Sequence, residues 1–357
     1  MVVAGGHSAG HIEPAMNFAD AVRRLDPSAQ ITALGTERGL DTTLIQARGY
    51  PLELIPPVPL PRKLNRALLA TPGRLRASVH AAGRVLDRVR AEAVVGFGGY
   101  VAMPAYVAAR RRQIPIVIHE ANARAGVANR VAARLTSHVF TASAAVRLPH
   151  AVPIGIPLRP AIAALDRVAL RAEARSRFGL EQDGPVLMVT GGSQGARAIN
   201  DAVSAAAPQL RAAGVQVLHI AGPKNTVEVA PGSPPYVVLP YVDSMQYAYA
   251  AADLVVCRSG AMTCAELTAV GLPAAYVPLP LRGGEQRTNA EPIVAAGGGL
   301  MIDNDKLTPE WIARELVPLL SDPIALRAMS TAAASAGARD ADVVLARAVL
   351  DLVRERR

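Results

Sequence analysis

Residues 186–197 read VLMVTGGSQGAR, and residues 1–11 read MVVAGGHSAGH. Each is a short aliphatic run, a glycine pair, a serine and a further glycine, leading into a stretch of helical length. The aliphatic run suits a strand buried on both faces, and the small residues after it let backbone N–H groups approach an anion at a helix start. Many folds carry one such opening. Two of them, about 185 residues apart, predict two similar βαβ domains in tandem.

The rest of the chain fits that frame. Further apolar runs of strand length lie at 31–35, 93–97, 115–119, 215–220, 253–257 and 274–277, separated by stretches rich in Ala, Arg and Leu. Alternation of this kind predicts an α/β fold of parallel sheets covered by helices. A length of 357 residues suits two domains. The join is expected within 150–165, where Pro153, Pro157 and Pro160 interrupt regular structure. The expected domains are 1–160 and 161–340, with a final helix at 341–357 packing back on the first.

Composition narrows the partners. Hydrophobic residues make up 51% and aromatics only 4%, which provides aliphatic cores and few rings for stacking bases. The net charge of +9 calls for an anionic partner, and with four Phe and one Trp that partner is not expected to be nucleic acid. Cys257 and Cys264 form no metal-ligand set and are compatible with a reducing compartment. No apolar run reaches the roughly 18 residues of a membrane-spanning helix. The opening residues do not read as a charged-then-apolar leader. They fall inside the first expected strand, which points to a start placed late or a trimmed terminus. Residues 62–90 carry Arg62, Lys63, Arg66, Arg74, Arg76, Arg84, Arg88 and Arg90 among Leu, Val and Ala, and residues 110–112 are three arginines. That pattern reads either as a solvated helix face or as a basic patch for an anionic membrane surface.

Chemistry concentrates in the segments that follow the strands. Gly5-Gly6-His7-Ser8-Ala9-Gly10-His11 forms an anion-approaching loop, but it lacks the G-x-G-x-x-G spacing and the later acid of a nicotinamide site, since Gly35 is followed by Thr36. His11 is either a local cap or a base that takes a proton from a substrate hydroxyl. GFGGY at 96–100 is a second close backbone approach. In His119-Glu120-Ala121-Asn122, Glu120 and Asn122 emerge at a strand's carboxyl end and suit either turn chemistry or sugar hydroxyls. Gly191-Gly192-Ser193-Gln194-Gly195 repeats the phosphate-loop logic. Arg258 to Glu266 (RSGAMTCAE) leaves room for a diphosphate at a helix start, and Glu266 is either a dipole partner or the acid for a ribose. Gln286 and Asn289 add polar groups after the next strand.

Taken together, GGHSAGHIEP at 5–14, GFGGYV at 96–101, HEANARAG at 119–126, GIPLR at 155–159, GGSQGAR at 191–197, CRSGAMTCAE at 257–266 and EQRTNA at 285–290 resemble the MurG family over nearly the whole chain. The wording HEANARAG and RSGAMT resembles an actinobacterial member. Each string is common alone, but their combination and order are specific. The resemblance implies a GT-B architecture, two Rossmann-like domains facing across a cleft. The first would be the acceptor and membrane-associating domain, the second the donor-binding domain. It also implies inverting transfer of N-acetylglucosamine from UDP-N-acetylglucosamine to the C4 hydroxyl of undecaprenyl-diphospho-N-acetylmuramoyl-pentapeptide, at the cytoplasmic face of the cell membrane. No cofactor is implied, and no Asp-x-Asp string offers a metal site.

By the same resemblance, His11 matches the proposed general base, and Glu120 is a second candidate. Ser8, Ala9 and Gly10 would lie nearest the transferred sugar and the acceptor diphosphate. Asn122 and Gln286 would bond the sugar. Arg159 and Ser193 would meet the donor phosphates, and Val242 the uracil. Ala261, Met262, Thr263, Cys264, Ala265 and Glu266 would line the diphosphate and ribose, with Glu266 on the ribose hydroxyls. The chain departs from the family at His7, which stands where a glycine is usual. That departure keeps open a non-catalytic subunit that only binds a UDP-sugar. Another GT-B transferase, a UDP-sugar epimerase and a nicotinamide dehydrogenase are the remaining alternatives.

Overall fold

The computed structural model describes residues 1–6, 8–37, 41–58, 71–280 and 283–356. His7, together with Arg62, Lys63 and Arg66 of the basic stretch, lies outside them. The chain divides into two units, Met1–Leu158 with Arg339–Arg357, and Arg159–Ala338.

The first unit is built on a seven-stranded sheet of order β3-β2-β1-β4-β5-β6-β7. Its strands are β1 (Val2–Gly5), β2 (Thr32–Gly35), β3 (Leu52–Leu54), β4 (Val94–Gly98), β5 (Ile116–Glu120), β6 (Val139–Thr141) and β7 (Ala151–Pro153). Every pairing is parallel. Successive residues of a strand point to opposite faces, and here both faces are covered. Val3, Val95 and Val117 share a core with Ile12, Met16 and Val22 of the helix Ala9–Leu25. Val2, Ala4 and Ile118 face Val85, Leu86, Ala105 and Tyr106 on the other side. This two-sided burial is the physical cause of the unbroken aliphatic runs. Each fully buried Val, Leu, Ile or Met side chain contributes roughly 1.5–3 kcal/mol.

The C-terminal helix Ala341–Arg354 belongs to this first unit. Leu345, Val349 and Val353 join the core of the helix Ala9–Leu25, and Arg24 pairs with Asp342 at 2.5 Å.

The second unit carries a six-stranded sheet of order β10-β9-β8-β11-β12-β13, again all parallel. The strands are β8 (Val186–Thr190), β9 (Gln216–Ile220), β10 (Tyr236–Leu239), β11 (Leu254–Cys257), β12 (Ala274–Tyr276) and β13 (Gly299–Met301). Leu187, Val189, Val217, Leu254 and Val256 meet Ile199, Val203, Leu210, Ile312 and Leu316 in its core. Asp166 accepts from the amides of Val168 and Ala169, and Asp322 from those of Ile324 and Ala325, so each caps the helix it opens.

Five strands, β3, β6, β7, β10 and β13, are not among the apolar runs of the sequence. They are three or four residues long and lie at or next to a sheet edge, where a shorter apolar stretch suffices. β7 ends on Pro153, inside the segment read as the domain join; a proline is tolerated there because the strand is an edge.

Candidate active site

In each sheet the strand order reverses once, between β1 and β4 and between β8 and β11. The loops after those strands diverge at the carboxyl edge, which is where ligands bind in open α/β sheets.

In the first unit that edge holds residues 5–6, 8–11, 98–101 and 120–126. Ser8 is the N-cap of the helix Ala9–Leu25, yet its hydroxyl makes no capping bond. Ser8 Oγ instead lies 3.0 Å from His11 Nδ1. The imidazole rests on Gly98 of β4. A Cβ built there would come within 2.9 Å of His11 Cδ2 and 3.0 Å of Nε2, and Gly98 has φ +94. Glycine is therefore required at 98 for both space and backbone conformation. Ala9 is half-buried and Gly10 is exposed.

Glu120 ends β5 and is only 2% exposed. Its Oε1 accepts from the Asn122 amide at 3.0 Å, and its Oε2 from the Gly126 amide and Asn129 Nδ2, both at 2.9 Å. Burial raises the carboxyl above its ordinary range, and these hydrogen bonds work against that shift. Asn129 is itself held by the Tyr106 hydroxyl at 2.7 Å. The result is a loop, 120–126, folded around one acid, with half-buried Asn122 on it. Asn129 also lies 3.6 Å from the Cβ position built at Gly98, which links the surroundings of Glu120 to those of His11.

In the second unit, Gly260 is the N-cap of the helix Ala261–Ala269 and has no side chain with which to bond the first amides. Ala261, Met262 and Thr263 thus form a helix start suited to an anion. Cys264 is buried, Ala265 half-buried, and Glu266 lies half-buried in the second turn. Glu266 Oε2 accepts from the Tyr249 hydroxyl at 2.6 Å. Arg159, the N-cap of the helix Pro160–Ala163, acts electrostatically on that same hydroxyl, so Arg159 and Glu266 share a neighbourhood. Ser193 is exposed on the loop after β8, and Val242 is half-buried after β10. A side chain at Gly195 of the Ser193 loop would meet the Ala221 carbonyl at 2.0 Å, so backbone packs on backbone there. Gln286 accepts from the Leu279 amide at 2.9 Å, and Asn289 donates to the Ser259 carbonyl at 3.2 Å. These two bonds tie the helix Glu285–Ala295 to the loops after β12 and β11. Among the described residues, no group of three His, Cys, Asp or Glu is placed to hold a metal ion.

Asn129, Tyr106 and Tyr249 belong to these surroundings but stand outside the motifs of the sequence. A signal existed only for Asn129, which follows Glu120 by nine residues in a short helix (Val127–Ala132) leaving the same loop.

Two further histidines are buried, His119 at the end of β5 and His219 in β9. His119 Nε2 donates to the Gly155 carbonyl at 2.8 Å, and His219 bonds Tyr236 Oη and Asn200 Oδ1. Burial pushes each down from 6.5 to about 4. A depressed folded value means that the unfolded chain takes up the proton first as pH falls. Stability is then full above 6.5 and drains as pH drops toward 4. The expected slope is about 1.4 kcal/mol per pH unit for each histidine. Urea unfolding of the second unit at pH 7 and pH 5 checks this. His219→Gln should lose that histidine's share of the slope, and an unaltered slope would show that His219 is not buried in the neutral form.

Residues 1–141 match the glycosyltransferase family 28 N-terminal domain, and residues 186–345 match the glycosyltransferase family 28 C-terminal domain. A protein of Streptomyces avermitilis is 56% identical over 359 residues, spanning 100% of this chain and 99% of its own length. One of Acidothermus cellulolyticus is 59% identical over 353 residues, spanning 97% and 96%. Both carry the name UDP-N-acetylglucosamine–N-acetylmuramyl-(pentapeptide) pyrophosphoryl-undecaprenol N-acetylglucosamine transferase. The crystal structure of Acinetobacter baumannii MurG is similar to this chain with a TM-score of 0.80 and 27% identity over 99% of both chains.

Proposed function

The chain belongs to glycosyltransferase family 28 and has its GT-B fold of two parallel-sheet α/β domains, and from that premise we infer what it does. It is an N-acetylglucosaminyltransferase that uses UDP-N-acetylglucosamine and an N-acetylmuramyl-(pentapeptide) pyrophosphoryl-undecaprenol acceptor, in peptidoglycan synthesis. Full-length identity above half to relatives of that name carries this conclusion.

We propose the following division of labour. The acceptor's C4 hydroxyl attacks the anomeric carbon in line with the departing UDP, and the sugar inverts. His11 Nε2 takes the hydroxyl proton as the new C–O bond forms. This role requires the tautomer in which His11 Nδ1–H donates to Ser8 Oγ and Nε2 is the basic nitrogen. Glu120 positions the loop that carries Asn122, because both of its oxygens are already bonded to that loop and to Asn129. Asn122 and Gln286 hold the transferred sugar, and Ser8, Ala9 and Gly10 line its approach. Negative charge that builds on the leaving diphosphate meets Arg159, Ser193 and the helix start at Ala261, Met262 and Thr263. Cys264 and Ala265 continue that wall, Glu266 accepts from the ribose hydroxyls, and Val242 borders the uracil. Transfer of labelled N-acetylglucosamine to a short-chain lipid-linked muramoyl-peptide, with chelator present, tests donor, acceptor and metal independence together. UDP binding without turnover would instead favour the non-catalytic subunit.

We also propose that the first unit rests on an anionic membrane surface, at its cytoplasmic face. No helix among the described residues is long and apolar enough to cross a membrane. In the helix Thr71–Arg88, Arg74, Arg76 and Arg84 are exposed, whereas Val79, Val85 and Leu86 point into the core. Arg110 and Arg111 are exposed as well. A cluster of exposed apolar side chains lies on the helix Val127–Ala132 and just past it. Val127 is 56%, Val131 41% and Leu135 38% exposed at four-residue spacing, flanked by exposed Arg130 and Arg134. Each arginine near an anionic leaflet contributes about 1 kcal/mol. Binding to phosphatidylglycerol vesicles should fall steeply with salt, and Val131→Asp should weaken it further. Binding indifferent to both would remove the membrane reading.

A further inference from the structure

Tyr249 is nearly invisible in the sequence, in an alanine-rich helix (Met245–Ala251), and it is 3% exposed. Its backbone is fixed at one end of the side chain and its hydroxyl at the other. Arg167 Nε donates to the Tyr249 carbonyl at 3.0 Å, Arg167 Nη2 to that of Ala252 at 2.5 Å, and Arg167 Nη1 to that of Gly271 at 2.9 Å. Ala252 is the C-cap of the Tyr249 helix, and Gly271 follows the C-cap of the Glu266 helix. One guanidinium thus joins the ends of both helices through carbonyls that lack helical partners. From that fixed base the phenol spans to Glu266 and donates to Oε2 at 2.6 Å.

We propose that Tyr249 is a positioning residue for the nucleotide: it holds the Glu266 carboxylate in the one orientation that presents it to the vicinal hydroxyls of the donor's ribose. The proposal rests on the reading of Glu266 as the ribose acid. A glutamate has three rotatable bonds, and a half-buried one on a helix surface samples several rotamers. A short bond from a buried, immobile phenol removes that freedom before the ligand arrives, so less ordering remains to be done on binding. Burial and the neighbouring carboxylate raise the phenol well above its usual range, which keeps it a donor.

The test is Tyr249→Phe, which keeps the ring and deletes the donor, studied with the full chain and two probes, UDP and 2′-deoxy-UDP. UDP should bind roughly tenfold more weakly, with the deoxy probe nearly unaffected, so that preference for the ribose shrinks. The KM for UDP-N-acetylglucosamine should rise by a similar factor with kcat within about threefold. In a Glu266→Ala background, adding Tyr249→Phe should change nothing further. Equal loss for both probes, or a loss that persists in the Glu266→Ala background, would show a merely structural role. If Glu266→Ala weakens UDP and Tyr249→Phe does not, Tyr249 alone loses its assignment. If Glu266→Ala leaves UDP binding unchanged, the ribose reading falls and this proposal falls with it.

Discussion

His11→Ala is expected to lower kcat by roughly 10²–10⁴-fold while leaving UDP affinity within about twofold. The magnitude is that of a positioned general base, and the geometry says why this histidine is positioned. Ser8 Oγ holds Nδ1 at 3.0 Å, and Gly98 packs under the ring where any side chain would collide with Cδ2 and Nε2. The ring is therefore held between Ser8 and Gly98, at the carboxyl edge of the sheet where β1 and β4 part. The groups proposed to bind the donor's UDP lie in the second unit's loops, so UDP binding should not depend on the imidazole. Ser8→Ala should give a smaller loss of the same kind, because the ring would stay and only its tautomer bias would go. Steady-state kinetics with UDP titration separates the two quantities. A loss below about tenfold would remove His11 as the base and return the question to Glu120, even though both Glu120 oxygens are bonded within their own loop.

Asp253→Ala is expected to destabilise the second unit by about 3–5 kcal/mol, the range for breaking a buried ion pair from one side. Asp253 precedes β11 and serves three partners. Its carboxylate accepts from both terminal nitrogens of Arg171 at 2.8 and 3.1 Å, from Arg175 at 3.0 Å, and from the Val186 amide at 2.9 Å. Arg175 is completely buried, so removing the acid takes away its ion-pair partner and leaves hydrogen bonds to the Glu181 and Gln182 carbonyls and the more distant charge of Asp183. The Val186 amide opens β8, the strand that feeds the Ser193 loop, and it would lose its acceptor as well. Arg171 is partly exposed and can turn to water, so most of the cost belongs to Arg175. Urea unfolding monitored in the second unit measures the change, and a shift under about 1 kcal/mol would overturn this account. Adding Arg175→Met to the variant should recover part of the loss, since the uncompensated charge would then be gone.

These two predictions fall on opposite sides of what sequence can say. His11 is legible as a candidate because the signal is local: a glycine-rich loop, a helix start and an imidazole within a few residues. The two-domain α/β plan is legible for a similar reason. A strand covered on both faces is mostly apolar, so β1, β2, β4, β5, β8, β9, β11 and β12 announce themselves as runs. The short strands at or beside sheet edges escape notice, because they bury less and obey no such rule.

The sequence by itself determined the layers, the two phosphate-type loops and the loops that carry the candidate site, since each depends on contiguous residue types and on helix and strand periodicity. Only the tertiary structure decided which distant groups meet. Gly98 beneath His11, Asn129 and Tyr106 behind Glu120, Tyr249 on Glu266, and Asp253 between Arg171, Arg175 and Val186 are contacts between different elements. The physical reason is that a side chain's partner across a sheet or between helices is set by strand order, register and helix placement. Periodicity constrains which face a residue takes, and leaves open what will be standing opposite it.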